Sequence, residues 1–207
     1  MDVVPLFLAD PPGGPDASHR VCAPGGYEFW LLTAQDTSAK VRLKVGFFDG
    51  HPSLHAYLSR YRRFRKRPTA NAPPVPRDFQ VVEIEAKDPK SRVITDIQRL
   101  PPGSMKTSIE RLEISAGNHT LHRRADGVLE LNLKRKHVTA DLLFVPDREQ
   151  PPAGVISENG QFVYRANPKC FVAGIIEIQP AAEKPPWRIE FNGTGAHEHR
   201  WLVNRQD

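Results

Sequence analysis

Short stretches of alternating apolar and polar residues dominate this sequence. In 41–47 and again in 129–133, every second residue is Val, Leu or Phe, and most residues between them are charged or polar. Successive side chains of a β-strand point to opposite faces of a sheet, so a period of two predicts strands with one buried face. Less regular apolar runs predict further strands at 27–34, 79–86, 108–114, 118–123, 137–145, 161–165, 171–178, 187–191 and 197–203.

The turns between these runs indicate an antiparallel arrangement. Asp126-Gly127 and Asn159-Gly160 each separate two runs, and both dipeptides suit tight hairpins, whose residues adopt positive φ angles. The chain shows neither an internal repeat nor the alternation of strands and helices that builds parallel sheets. The sequence therefore predicts an all-β fold with about ten strands, either an antiparallel barrel or a sandwich.

One segment, 53–66, has a helical pattern instead. Its apolar residues recur at spacings of three and four, which places them on one face of a short amphipathic helix. The helix should end before Pro68, whose ring disfavours helical geometry in the preceding residue. The apolar face consists of Leu54, Tyr57, Leu58, Tyr61 and Phe64, and the cations that flank it are Arg60, Arg62, Arg63, Arg65, Lys66 and Arg67.

This basic helix has three interpretations. Its cations form the solvated side of a helix packed on the sheet, or they contact nucleic acid, or they meet an anionic membrane surface through Arg60, Arg62, Arg63 and Phe64. The solvated side is the simplest interpretation. Nucleic acid is the least favoured, because the sequence lacks motifs that stack on bases or read a groove.

Composition indicates one folded domain. Twenty prolines and fourteen glycines favour loops and extended segments over long helices. Residues 10–26 are rich in both, so we expect an irregular lead-in over 1–26 and a single domain over 27–207. Cys22 and Cys170 are the only cysteines, too few for a disulfide scaffold, and no signal peptide is evident. A cytoplasmic protein with free thiols is predicted, with peripheral membrane contact as the alternative.

The densest chemistry lies near the C-terminus, in His197-Glu198-His199-Arg200-Trp201. On a strand, the two histidines and Trp201 share one face, and Glu198 and Arg200 share the other. Glu198 and the histidines are candidates for proton transfer. The alternative is a polar network that only stabilises the fold. No metal site is predicted, because no third ligand accompanies the two histidines.

Three segments, taken in order, resemble the lipocalin-like carotenoid 1,2-hydratase (hydroxyneurosporene synthase) family. They are 24–30 (Pro-Gly-Gly-Tyr-Glu-Phe-Trp), 47–52 (Phe-Phe-Asp-Gly-His-Pro) and the histidine motif. The family carries a motif similar to Gly-Tyr-His-Asp-His-Asn-Trp-Gly, so both histidines and the tryptophan match and Glu198 replaces an aspartate. This chain departs from that motif at Ala196, Arg200 and Leu202. The resemblance covers most of the chain and corresponds to the first half of a two-domain architecture.

The resemblance implies a lipocalin-like barrel that handles a hydrophobic isoprenoid or polyene. The implied hydro-lyase reaction protonates a terminal alkene to a carbocation, which then captures water or cyclises, and it needs no cofactor. In that scheme Glu198 donates the proton and His197 and His199 tune it. The ligand-contacting residues would be Trp30, Trp201 and Arg200.

Two other functions stay open at this point. A non-catalytic lipid-binding module would keep the barrel and a cavity but would not need Glu198 for a reaction. An interaction module would act through the basic helix, with a partner domain or a second copy of the chain.

Overall fold

The computed structural model describes residues 7–147, 154–158, 161–180 and 185–203, and for 154–158 and 161–168 it describes the backbone alone. Twelve strands, one α-helix (α1, His55–Lys66) and one 3₁₀ turn (Pro76–Asp78) occur in these residues. The strands are β1 Tyr27–Asp36, β2 Val41–Asp49, β3 Val81–Lys87, β4 Val93–Arg99, β5 Lys106–Thr107, β6 Glu113–Ala116, β7 His119–Arg123, β8 Leu129–Lys134, β9 Val138–Pro146, β10 Gly154–Glu158, β11 Gln161–Ile178 and β12 Trp187–Leu202.

All twelve strands belong to one antiparallel sheet. Its order is β4-β3-β2-β1-β12-β11-β9-β8-β7-β6-β5, and β10 pairs with β11. The sheet curls into a lipocalin-like barrel, so the all-β class and the antiparallel barrel are confirmed. The first strand of the barrel, β1, lies between β2 and the C-terminal strand β12. Residues far apart in sequence therefore become neighbours across β1.

The inner face of the curled sheet holds the main core. The two most regular alternating runs supply much of it: Val41, Leu43, Val45 and Phe47 of β2 and Leu129, Leu131 and Leu133 of β8 are all buried. Burial of each such side chain stabilises the fold by about 1.5–3 kcal/mol relative to an exposed one. Side chains also tie the edge strand β4 to the far side of the barrel, because Gln98 contacts His119 and Asp96 binds Arg135.

Five strand predictions need correction. The runs 161–165 and 171–178 belong to one strand, β11, and 187–191 and 197–203 belong to another, β12. Residues 108–112 form no strand, and β6 begins at Glu113. Strand β4 went unpredicted because its pattern is inverted: Asp96 and Gln98 face the core side, while Val93 and Ile97 are 59% and 55% exposed.

The predicted turns and helix are confirmed where the structure describes them. Gly127 adopts a φ of 86° between β7 and β8, whereas residues 159–160 lie outside the described residues. The helix α1 ends at Lys66, before Pro68. Tyr57 and Tyr61 are its two buried residues.

The lead-in contains no strand or helix between residues 7 and 26, but it packs across one end of the barrel. Ala17, Ser18, His19 and Val21 are each at most 1% exposed. Cys22 and Cys170 form no disulfide. No helix in the described part of the chain is long and apolar enough to cross a membrane.

Candidate functional site

The three segments singled out in the sequence converge at the end of the barrel that the lead-in covers. Glu28 of β1 stands opposite Asp49 of β2 on one side and opposite Trp201 of β12 on the other. Trp30 stands opposite His199. Because paired residues on neighbouring strands share a face, these side chains gather on the inner side of the sheet.

Alternation along β12 divides the histidine motif between two environments. His197 and His199 are fully buried and Trp201 is 3% exposed. Glu198 and Arg200 lie on the outer face, where Arg200 Nη2 donates to Glu198 Oε2 at 2.5 Å. The structure therefore brings both histidines together with Trp30 and Trp201, and it places Glu198 and Arg200 on the opposite side of the sheet.

Arg200 contacts the ring of Phe29 as well as Glu198. Its guanidinium carbon lies 6.0 Å from the ring centroid, within the range of a cation–π interaction. Phe29 belongs to a small outer cluster that also includes Tyr27, Phe48 and Leu202. The outer half of the motif thus packs on the outside of the barrel.

Glu28 is the centre of a buried polar network. Its carboxylate accepts hydrogen bonds from the backbone N–H of His19 at 2.6 Å, from Ser18 Oγ at 3.2 Å and from His199 Nε2 at 3.0 Å. His199 Nδ1 donates to the carbonyl of Pro15 at 2.9 Å. Since a carbonyl only accepts, Nδ1 is the nitrogen that donates, and Nε2 is the nitrogen that faces the Glu28 carboxylate.

Aromatic stacking holds the histidines in place. His199 stacks on Trp30 with centroids 4.5 Å apart, and His19 stacks on Trp201 at 3.8 Å. His19 Nδ1 donates to the carbonyl of Leu8 at 2.7 Å. His19 Nε2 lies 3.3 Å from the carbonyl of Pro15, and burial lowers the pKa of His19. The two histidines of the site therefore have different partners: His199 contacts a carboxylate, and His19 contacts backbone carbonyls.

A second polar group lies beside His197. Asp16 Oδ2 accepts from Arg123 Nη2 at 2.6 Å and from Nε at 3.2 Å, and Asp16 Oδ1 stands 3.5 Å from His197 Nε2. Burial lowers the pKa of His197 to about 4. Within the described residues, Asp16 Oδ1 and both ring nitrogens of His197 have no hydrogen-bond partner, which is unusual for buried polar atoms.

Asp49 is the second carboxyl group of the converging segments. Burial, with a smaller contribution from the charge of Glu28, raises its pKa to about 6. Gln80 Nε2 donates to Asp49 Oδ1 at 2.6 Å, which opposes that rise. The two carboxyl groups occupy directly opposite positions on β1 and β2, so a neutral Asp49 relieves their repulsion.

An apolar cavity of about 410 Å³ adjoins this network. Trp201 of β12 lines it together with lead-in residues: Phe7, Ala9, Asp10, Pro11, Gly14, Pro15 and His19. A larger hollow of about 670 Å³ lies among charged residues such as Arg42, Lys44, Glu85 and Lys87, away from the converging segments. The 410 Å³ cavity is therefore the better candidate for a ligand site.

The lead-in residues of this site could not be recognised in the sequence. Asp16, Ser18 and His19 have no motif around them that would mark them as site residues. Glu28 lies in the first resembling segment, and the pairing of β1 with β12 is what makes it a partner of His199. Among the described residues, no group of three His, Cys, Asp or Glu side chains is arranged to hold a metal ion.

Solved structures share this fold. A putative AttH from Nitrosomonas europaea superposes with a TM-score of 0.64 at 17% identity, over 99% of this chain and 60% of that one. CghA gives 0.66 at 12% identity, over 99% and 54% of the two chains. CghA solved with Sch210972 gives 0.64 at 13%, over 98% and 53%.

This chain has a lipocalin-like fold. It spans between 53% and 60% of the length of these three structures. No protein-family model matches the sequence, and no curated protein matches it either. At these identities the likeness shows the fold alone, and the resemblance to the carotenoid 1,2-hydratases stays a prediction.

Proposed function

We propose that this chain is a lipocalin-like domain that binds an apolar small molecule of isoprenoid or polyene type between the lead-in and Trp201. The observation that carries the proposal is the 410 Å³ cavity beside the converging segments. Its volume falls within the roughly 300–1,000 Å³ range of small-molecule sites. Its lining is mostly apolar, with His19 as a polar group that orients the ligand.

The position of the cavity suits a flat, unsaturated ligand. The barrel interior beyond Trp30 is filled by the main core, so the ligand lies at the end of the barrel and not along its axis. Trp201 lines the cavity beside His19, which stacks on its ring, and a conjugated or branched hydrocarbon chain packs well against aromatic side chains. Removal of apolar surface from water supplies the main driving force, at about 25 cal/mol per Å².

A cofactor-independent hydratase or cyclase is the second candidate. The observation that favours it is the 3.0 Å contact between His199 Nε2 and Glu28 Oε1, across which the pair would hold a proton. This proton would add to a terminal alkene, water would add to the cation, and the proton released from that water would return to the pair. Trp30 and Trp201 flank His199 and could stabilise the cation through their π faces. Glu198 faces away from this space, so an interior ligand favours Glu28 over Glu198 as the carboxyl group involved.

Binding is tested with all-trans-retinol as a polyene probe and geranylgeraniol as a competitor. We expect retinol to quench tryptophan emission and geranylgeraniol to reverse the quenching. Trp201→Phe should weaken binding about tenfold. The matched control is Trp187→Phe, at the opposite end of β12 near Lys90, which should leave affinity unchanged. A Trp201→Phe variant that folds and binds retinol as tightly as the unmodified protein would contradict this cavity as the site.

Catalysis is tested by incubating an acyclic terpenoid with the protein and searching for products that have gained one water or have cyclised. Recovery of unchanged terpenoid supports a binding module. A product that disappears in Glu28→Gln but persists in Glu198→Gln supports catalysis by the inner pair. A product that disappears only in Glu198→Gln would identify Glu198, on the outer face, as the proton donor.

A further inference from the structure

The positive charge of this chain is concentrated in one segment. No aspartate or glutamate occurs between Asp49 and Asp78, and seven cations do: Arg60, Arg62, Arg63, Arg65, Lys66, Arg67 and Arg77. The net charge of +5 therefore divides into +7 for this segment and −2 for the remaining residues. Such asymmetry produces a directed electrostatic field that a mixed-charge surface lacks.

The helix α1 and its C-cap residue Arg67 present six of these cations to solvent. Tyr57 and Tyr61 turn inward, where Tyr57 Oη donates to the carbonyl of Gly26 at 2.5 Å and the Tyr61 ring packs so closely on Gly25 that a Cβ there would clash. All six helix-associated cations are exposed. We call these six the cationic face, and it consists of Arg60, Arg62, Arg63, Arg65, Lys66 and Arg67.

The cationic face belongs to the same end of the barrel as the cavity. The helix is anchored on Gly25 and Gly26, directly before β1. Trp201, which lines the cavity, stands opposite Glu28 at the start of the same strand. A surface that binds the helix therefore approaches the end of the barrel at which the lead-in and the cavity lie.

We propose that the cationic face docks this domain on an anionic phospholipid surface, by electrostatic attraction and without insertion of the helix. Insertion would need a free apolar stripe, and the two tyrosines of this stripe, Tyr57 and Tyr61, are buried against the barrel. The cations are spread along the exposed side of the helix, which suits the diffuse phosphates of a bilayer. The aromatic platform that single-stranded nucleic acids use is lacking there, because Tyr57 and Tyr61 are buried.

This inference extends beyond the proposed function and does not depend on it. A bilayer is also where isoprenoids and polyenes dissolve, so docking would bring the cavity to the source of such a ligand. The two proposals fail separately: a loss of vesicle binding leaves retinol binding in solution intact, and a loss of retinol binding leaves vesicle binding intact.

Co-sedimentation with vesicles tests the docking surface. We expect the protein to bind vesicles of phosphatidylcholine with about 30% phosphatidylserine and not to bind phosphatidylcholine alone. Binding should disappear at about 1 M NaCl, where the Debye length is only about 3 Å. Arg62→Gln, Arg63→Gln and Lys66→Gln combined should weaken binding about 100-fold, because each cation near an anionic surface contributes about tenfold or less.

The matched control removes three exposed cations of the sheet, Arg42→Gln, Lys44→Gln and Arg99→Gln. It lowers the net charge by the same amount as the helix variant. A difference in vesicle binding between the two variants therefore reflects where the cations lie and not how many there are. Circular dichroism and the melting temperature report whether each variant folds. Equal weakening by the control, unchanged binding by the helix variant, or tighter binding to duplex DNA than to the anionic vesicles would each overturn the proposal.

Discussion

The inner and outer faces of the last part of β12 share one sequence motif but differ in burial and in the partners of their side chains. His199 is fully buried, stacked on Trp30 and bonded at both ring nitrogens. Arg200, the next residue, has a side chain that is 32% exposed, and its ion-pair partner Glu198 is 21% exposed. Charged groups matter to stability mainly where water cannot replace their partners. Disruption of the inner polar network should therefore lower the free energy of unfolding more than disruption of the outer ion pair.

The largest expected effect separates the two glutamates. Glu28→Ala removes the acceptor for three buried donors, so it should lower the free energy of unfolding by about 3 kcal/mol or more. Glu198→Ala removes a partly exposed ion-pair partner and should cost less than about 1 kcal/mol. Urea denaturation followed by circular dichroism measures both changes. Similar costs for the two variants would show that the inner network contributes no more than the outer pair.

The second effect is a pH dependence in which two inner groups oppose each other. The pKa of His197 is about 4 when folded, below its usual 6.5, so the unfolded chain takes up the proton first on acidification. This group lowers stability by about 3 kcal/mol between pH 6.5 and pH 4. The pKa of Asp49 is about 6, above its usual 3.8, so the folded chain takes up this proton first on acidification. Asp49 therefore stabilises the fold at low pH, and this stabilisation is lost as pH rises from 3.8 to 6.

Two variants separate these contributions. Asp49→Asn removes the group that favours the folded state at low pH, so acidification from pH 7 to pH 4.5 should destabilise this variant more than the unmodified protein. His197→Gln removes the group that opposes folding at low pH, so acidification should destabilise it less. Melting temperatures at the two pH values measure both. Identical pH profiles for all three proteins would contradict the burial of these two groups.

The smallest effect concerns the outer pair alone. A double-mutant cycle of Glu198→Ala and Arg200→Ala should give a coupling energy of about 0.5 kcal/mol, because the pair is only partly buried. Arg200→Ala also removes the contact with Phe29, so it should cost slightly more than Glu198→Ala. A coupling above about 2 kcal/mol would mean that the outer face is shielded from water, as by a bound partner.

Local sequence patterns predicted the parts of the fold that rest on local physics. The alternation in 41–47 and 129–133 corresponds to β2 and β8, and the spacing in 53–66 corresponds to α1. The prediction failed where local and tertiary preferences differ. Strand β4 exposes Val93 and Ile97 and turns Asp96 inward, because Arg135 from the far side of the barrel binds that carboxylate.

The candidate site was predicted in the same partial way. Alternation placed His197, His199 and Trp201 on one face and Glu198 and Arg200 on the other, and the structure has this division. Strand periodicity does not specify which face is inside, because a one-residue shift of register exchanges the two faces. The structure shows that the histidine face is the inner one, because His199 pairs with Trp30, which is buried.

The sequence by itself determined the period of the strands, the single basic helix and the segregation of positive charge into residues 50–77, because each depends on residues close together in the chain. Only the tertiary structure decided that Glu28 contacts His199 and the lead-in residues Ser18 and His19. These contacts join residues up to 171 positions apart. The pairing of β1 with β12 and the packing of the lead-in across the end of the barrel create them, and no local pattern specifies which distant residues such packing brings together.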